Sequence, residues 1–150
     1  MKVLIATDGS EFSKAAVKKA CDHFLGANDQ IRIVSAYDDS PIAAEPYGMM
    51  VEYQAAATDA VRKQAADAIK EAESIVRDHP KGKDAYLETM VLRGRADREI
   101  VADAEKWGAD MIVVGSHGRG FWDRALLGSV STGVLHHAPC SVLIARNTSA

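Results

Sequence analysis

The stretch from Gly115 to Ser131, GSHGRGFWDRALLGSVS, gathers four glycines and three serines around a basic, aromatic middle. It follows the apolar run MIVV and precedes the helix-like run TGVLHHA, so it joins a strand to a helix. A link of this kind sets several free backbone N–H groups around one point, with the positive end of a helix dipole behind them. Its natural chemistry is anion binding. Glycine serves that chemistry twice, because no side chain blocks a phosphate and because positive φ is accessible to it. Gly115 and Gly118 are expected to meet both needs at the strand end, while Gly128 and Ser129 open the helix. The hydroxyls of Ser129 and Ser131 add donors for phosphate oxygens or ligands for a metal. The plainer reading is that Gly115 ends a strand, Gly128 starts a helix and Ser129 is an ordinary N-cap. No lysine lies between Gly115 and Ser131, so the stretch is not GxxxxGK[ST], and no GxGxxG follows the first strand. Both absences disfavour a P-loop motor and a dinucleotide dehydrogenase.

A second chemistry-bearing stretch is TDGSEFS, from Thr7 to Ser13. Asp8 stands three residues before Glu11, which suits a capping box, but its carboxylate, ionised at neutral pH, also suits a hydrogen bond from a ligand. Arg119 and Arg124 are the cations available to phosphate charge, with Arg119 favoured because it adjoins Gly118. His117 offers a general base or metal ligand, or only its backbone amide. In HHAPC, His136, His137 and Cys140 resemble a ligand set. Adjacent helical histidines point about 100° apart, however, and end a helix favourably at its negative pole. Phe121 and Trp122 either cover a ligand or anchor the loop, and Trp107 reads as packing.

Alternating periods show what must position these residues. KVLIA (residues 2–6) is a short apolar run suited to a strand buried on both faces. Phe12, Ala16, Ala20 and Phe24, with Val17 and Cys21, recur at helical spacing up to Gly26. IRIVSAY is a second strand, followed by a loop from Asp38 to Met50 with two prolines. Val61, Ala65, Ala68, Ala72, Ile75 and Val76 predict a helix from Val51 to about His79. AYLETMVL, DREIVADAEKW and MIVVG continue as strand, helix and strand, and a short helix over about 129–137 leads to the strand SVLIA. With no hairpin signal between strands, the β-α-β-α-β-α-β-α-β order predicts right-handed crossovers and a three-layer αβα fold on a parallel, Rossmann-like sheet. Ligands in such folds sit beyond the carboxyl ends of the strands, where strand order reverses.

The 150 residues, 47% of them hydrophobic, suffice for a single domain over 1–150. A net charge of -3 gives no reason to expect nucleic acid or a membrane surface as partner. No apolar run approaches the roughly 20 residues of a membrane span. Two distant cysteines and the absence of a leader-like start predict a cytoplasmic protein with reduced thiols.

The spacing Gly115, two residues, Gly118, nine residues, Gly128, Ser129 resembles the G-x2-G-x9-G-[ST] signature of the universal stress protein family, in its nucleotide-binding branch. KVLIATDGSEFSKAAVKKA and GSVSTGVLHHAPCSVLIAR resemble that family's opening and closing segments. The resemblance implies an open five-stranded sheet in the order 3-2-1-4-5, like that of adenine nucleotide alpha hydrolases. It implies ATP (or AMP or ADP) with Mg²⁺ or Mn²⁺ carried by the phosphates, Asp8 near the adenosine and Ala36 on adenine. Gly115, His117, Gly118, Arg119, Gly128, Ser129, Val130 and Ser131 would then surround ribose and phosphates. It further implies a homodimer through the last strand, about 141–146, and a regulatory stress-response role passed to an unknown protein partner. The alternative on the same site is a slow ATP hydrolase or a phosphoryl or adenylyl transferase, with Asp8, His117 and Arg119 as its obvious groups. One departure is Gly94-Arg95-Ala96, where the family often has Gly-x-Pro.

Overall fold

The computed structural model describes residues 1–40, 50–119 and 126–147. Nine elements alternate: β1 (Lys2–Ala6), α1 (Glu11–His23), β2 (Gln30–Tyr37), α2 (Met50–Asp78), β3 (Tyr86–Arg93), α3 (Ala96–Trp107), β4 (Met111–Gly115), α4 (Ser129–His137) and β5 (Ser141–Ala145). The strands form one parallel sheet in the order β3-β2-β1-β4-β5, as the resemblance implied.

Strand alternation divides the core into two layers. Val3, Ile5, Ile31, Ile33 and Val113 face Ala16, Val17, Ala20 and Cys21 of α1 and Ile69, Ala72 and Val76 of α2. Leu4, Val34, Ile112 and Val114 face the other way, onto Ile100 and Ala104 of α3 and Val134 of α4. Every strand residue between Val3 and Ala6 is thus buried, which is why β1 is apolar without alternation. Strand order reverses between the parallel neighbours β1 and β4, so the loops that follow these two strands emerge side by side.

The helices depart from the predicted stripes at their ends. Phe24 is the C-cap of α1 and 41% exposed, while Ser13 takes an inward position near its start. In α2 no residue from 52 to 64 is buried, and Val61 lies outside the core. A 29-residue helix is about 43 Å long, whereas an eight-residue strand spans only about 26 Å, so the first half of α2 overhangs the sheet.

Cys21 is fully buried, and burial, reinforced by the neighbouring Asp22 charge, pushes its thiol up to about 11. Cys140, half-buried, is raised by the same cause in a smaller way. A thiol displaced from 9.0 to about 11 carries about 100-fold less thiolate at pH 8. Native labelling with a disulfide reagent is therefore expected to modify Cys140 first and to reach Cys21 only on unfolding. Equal rates at the two cysteines in native protein would contradict the packing of α1 described here.

Candidate functional site

The site begins where β1 ends. The Thr7 amide donates to the Val34 carbonyl (2.9 Å), the last step of the β1–β2 ladder, and then the chain turns through Gly9 at φ 76. Ser10, not Asp8, caps α1: its hydroxyl accepts from the Ser13 amide at 3.2 Å. The capping-box reading of Asp8 is thereby replaced. One carboxylate oxygen of Asp8 accepts from the Ser10 amide (2.9 Å) and the other from the Arg119 amide (3.2 Å), so Asp8 ties the loop after β1 to the loop after β4. Beneath it, the buried hydroxyls of Thr7 and Ser13 lie 3.0 Å apart.

The loop after β4 is closed at its neck. The Gly128 amide donates to the Ser116 carbonyl (2.8 Å), and the Ser131 hydroxyl donates to the carbonyls of Ser116 (3.1 Å) and Gly128 (2.9 Å). The Ser131 hydroxyl, offered by the sequence as a donor to phosphate or a metal ligand, is instead buried and committed to carbonyls. His117 is also buried, with Nε2 bonded to the Leu126 carbonyl, Nδ1 3.0 Å from the Ser116 hydroxyl and its ring against Phe12. Both imidazole nitrogens are thus engaged within the loop's own neck. Arg124, Phe121 and Trp122 lie outside the described residues, as does most of the loop from Asp38 to Met50.

The expectation of positive φ at Gly115 and Gly118 is not met. Among the described residues positive φ occurs at Gly9, Gly94 and Gly108. What the signature glycines supply is space. A Cβ on Gly115 would lie 2.8 Å from the Phe12 carbonyl carbon and 2.9 Å from the Ser13 nitrogen, so α1 crosses β4 with backbone against backbone. One on Gly118 would meet Asp8 Oδ2 at 2.8 Å, and one on Gly128 the Cα of His117 at 3.3 Å.

Gly128 is the N-cap of α4 (φ -65, ψ 162) and offers no side chain to it, so the Ser129 N-cap alternative does not hold. The first intrahelical bond runs from the Thr132 amide to Gly128, leaving the amides of Ser129, Val130 and Ser131 without partners inside the helix. The other three helices each carry an acidic residue in the first turn: Glu11, Glu52, and Asp97 with Glu99. The first turn of α4 has none. Its dipole is left to be complemented by something else.

These pieces enclose a cavity of about 340 Å³. Asp8, Ala36, Gly115, His117, Gly118, Arg119, Gly128, Ser129, Val130 and Ser131 all line it. Its lining combines apolar side chains, Val34, Ala36, Ala96, Ile100 and Val114, with Asp8, Arg119 and the start of α4. Thr7, Ser13, Ser35, Ala96 and Ile100 also line the cavity and went unassigned in the sequence. The first two lie in TDGSEFS, but nothing local marks the α3 residues, which arrive by a crossover. Among the described residues no three His, Cys, Asp or Glu side chains group as a metal site, and His137 Nδ1 donates to the Gly133 carbonyl (2.9 Å) in the last turn of α4.

The family model for the universal stress protein family matches residues 1–146. The chain belongs to that family. Universal stress protein MJ0531 of Methanocaldococcus jannaschii is 30% identical to it over 145 residues, covering 97% of this chain and 81% of that one. The structure of universal stress protein UspA from Lactobacillus plantarum superposes with a TM-score of 0.77 at 25% identity, covering 97% of each chain. A universal stress protein crystallised in complex with cAMP is 26% identical, with a TM-score of 0.59 over 99% of this chain and 98% of that one.

The departure from the Gly-x-Pro pattern of universal stress proteins now has a place. Gly94 has φ 134, Arg95 is the N-cap of α3 (φ -67, ψ 120), and Ala96 is the first helical residue. The amides of Arg98 and Glu99 both reach Arg95, so that of Ala96 has no helical partner to lose. Arg95 already has the extended conformation required before proline. Ala96→Pro is expected to raise unfolding stability by about 0.4–1 kcal/mol in urea titrations; destabilisation would show that this turn is not relaxed as described.

Proposed function

We propose that this universal stress protein binds an adenine nucleotide in the cavity between the loops after β1 and β4. The observation that carries the reading is the first turn of α4, with three amides, no side-chain cap and no acid, opening on the same cavity as an apolar slot. The slot, walled by Ala36, Val34, Ala96 and Ile100, fits a planar base. Asp8 fits a nucleoside hydroxyl, and the amides of Gly118, Ser129, Val130 and Ser131 fit phosphate oxygens. The cAMP complex of the relative supports adenine as the base. ATP is the proposed physiological ligand, with AMP and ADP also accommodated. Mg²⁺ or Mn²⁺ arrives on the phosphates, since among the described residues Asp8 is the sole carboxylate lining the cavity and already accepts two amide bonds.

The protein acts as a cytosolic regulator that reports nucleotide state to a partner. It does so as a homodimer joined along β5, an apolar strand that among the described residues is paired on one side only, to β4. Hydrolysis is not the proposed role, because both nitrogens of the His117 ring are engaged within the loop. Mass spectrometry of small molecules released from purified protein, with calorimetry against ATP and AMP with and without Mg²⁺, tests the proposal. Stoichiometric binding is expected, with phosphate release no faster than in buffer. Neither retained nucleotide nor binding heat would overturn it, and a monomer by light scattering would remove the β5 dimer.

A further inference from the structure

The His117 side chain is absorbed by neither the base slot nor the anion cradle, yet it is buried and paired at both nitrogens. The Leu126 carbonyl can only accept, so Nε2 carries the proton. In the neutral ring Nδ1 then accepts from the Ser116 hydroxyl, 3.0 Å away. The ring thus spans from the first residues after β4 to the chain just before α4. It acts beside two other bonds at the same neck, from the Gly128 amide and the Ser131 hydroxyl to the Ser116 carbonyl. Those two hold the start of α4 to Ser116, and the His117 bond holds the approach through Leu126. Phe12 of α1 backs the ring, with centroids 5.2 Å apart, so the staple is referenced to the element that also carries the Ser10 cap and follows Asp8.

We propose that His117 is a positioning residue: its side chain staples the neck of the glycine loop and holds the Gly118 and α4 amides in their anion-binding arrangement before any ligand arrives. This rests on the nucleotide reading and adds to it the source of the preorganisation. A preformed cradle avoids the ordering cost that a loose loop would meet on binding.

The test compares His117→Gln with His117→Met. The two replacements have the same length and nearly the same volume, and only glutamine keeps an N–H near the position of Nε2. Calorimetry with AMP and with adenosine is run on both variants and the parent, each checked by thermal unfolding. His117→Met is expected to weaken AMP binding about tenfold while changing adenosine binding less than about twofold, because only AMP uses the cradle. His117→Gln is expected to recover most of the AMP affinity. In ligand-free protein, hydrogen exchange at the Gly128 amide is expected to accelerate in the methionine variant and to remain near the parent rate in the glutamine variant.

Equal AMP affinity in all three proteins would overturn the proposal, as would parallel losses of AMP and adenosine binding or unchanged exchange at Gly128. A parent protein that binds neither ligand would overturn the nucleotide reading instead, and the exchange measurement alone would then decide whether the staple exists.

Discussion

Replacing Asp103 by alanine is expected to lower the unfolding free energy by about 3 kcal/mol, a fall in melting temperature on the order of 10 °C for a chain of this size. Asp103 of α3 is 8% exposed and accepts two bonds from Arg32 Nη1, at 3.0 and 3.1 Å. Arg32 is nearly as buried and sits between Asp103 and Trp107, one turn apart on α3, with its guanidinium 4.6 Å from the indole centroid. Its other terminal nitrogen donates to Glu88 at 3.1 Å, the residue paired with it across the β2–β3 ladder. Removing one partner of a buried ion pair typically costs about 3–5 kcal/mol, because the remaining charge stays desolvated. Glu88 remains in Asp103→Ala and keeps part of the charge balanced, which sets the lower end of that range. The double variant Arg32→Met, Asp103→Leu is expected to recover most of the loss, since no charge is then buried. Urea unfolding of the single and double variants measures both numbers; a loss below about 1 kcal/mol would mean that the pair behaves as a surface contact.

This cluster shows where a single sequence stops being legible. Arg32 is visible as one charge in the apolar run IRIVSAY, but its partners lie 56 and 71 positions away and no local pattern links them. The elements were readable because burial on both faces leaves continuous apolar runs in β1 and β4, and because Gly108 at φ 72 ends α3 as a left-handed cap should. The cavity was readable for a similar reason: the order of elements places the loops after β1 and β4 at a reversal, whatever their side chains. Asp8, Gly118 and Arg119 do meet there. What the local pattern left open was mechanism. Asp8 three residues before Glu11 imitates a capping box, yet Ser10 stands closer to the helix and wins the cap. His117 in a glycine loop could serve as a base or through its amide alone, and its ring is engaged by the Ser116 hydroxyl and the Leu126 carbonyl, contacts that no local pattern marks.

The signature glycines give the second large effect, and it separates by position. Gly115→Ala places a methyl carbon 2.8–3.0 Å from the backbone of Phe12 and Ser13, which cannot rotate away. Either α1 or β4 must shift, at a cost of about 1–3 kcal/mol, and the shift carries the adjoining β1 loop with Asp8 away from the start of α4. Gly118→Ala meets only the tip of a side chain, Asp8 Oδ2 at 2.8 Å, and that carboxylate can swing aside. The fold is therefore expected to tolerate it within about 0.5 kcal/mol, the range of substitutions that touch no packed backbone. Swinging Asp8 breaks its bond from the Arg119 amide, however, and turns the carboxylate within the cavity. Under the nucleotide reading, Gly118→Ala should then lose affinity about tenfold or more while melting normally, and Gly115→Ala should lose stability and affinity together. Thermal unfolding and nucleotide calorimetry on the two variants decide the matter. If Gly118→Ala binds as tightly as the parent, the contact between Asp8 and the glycine loop has no part in holding the ligand, and the roles assigned to the two loops would have to be separated.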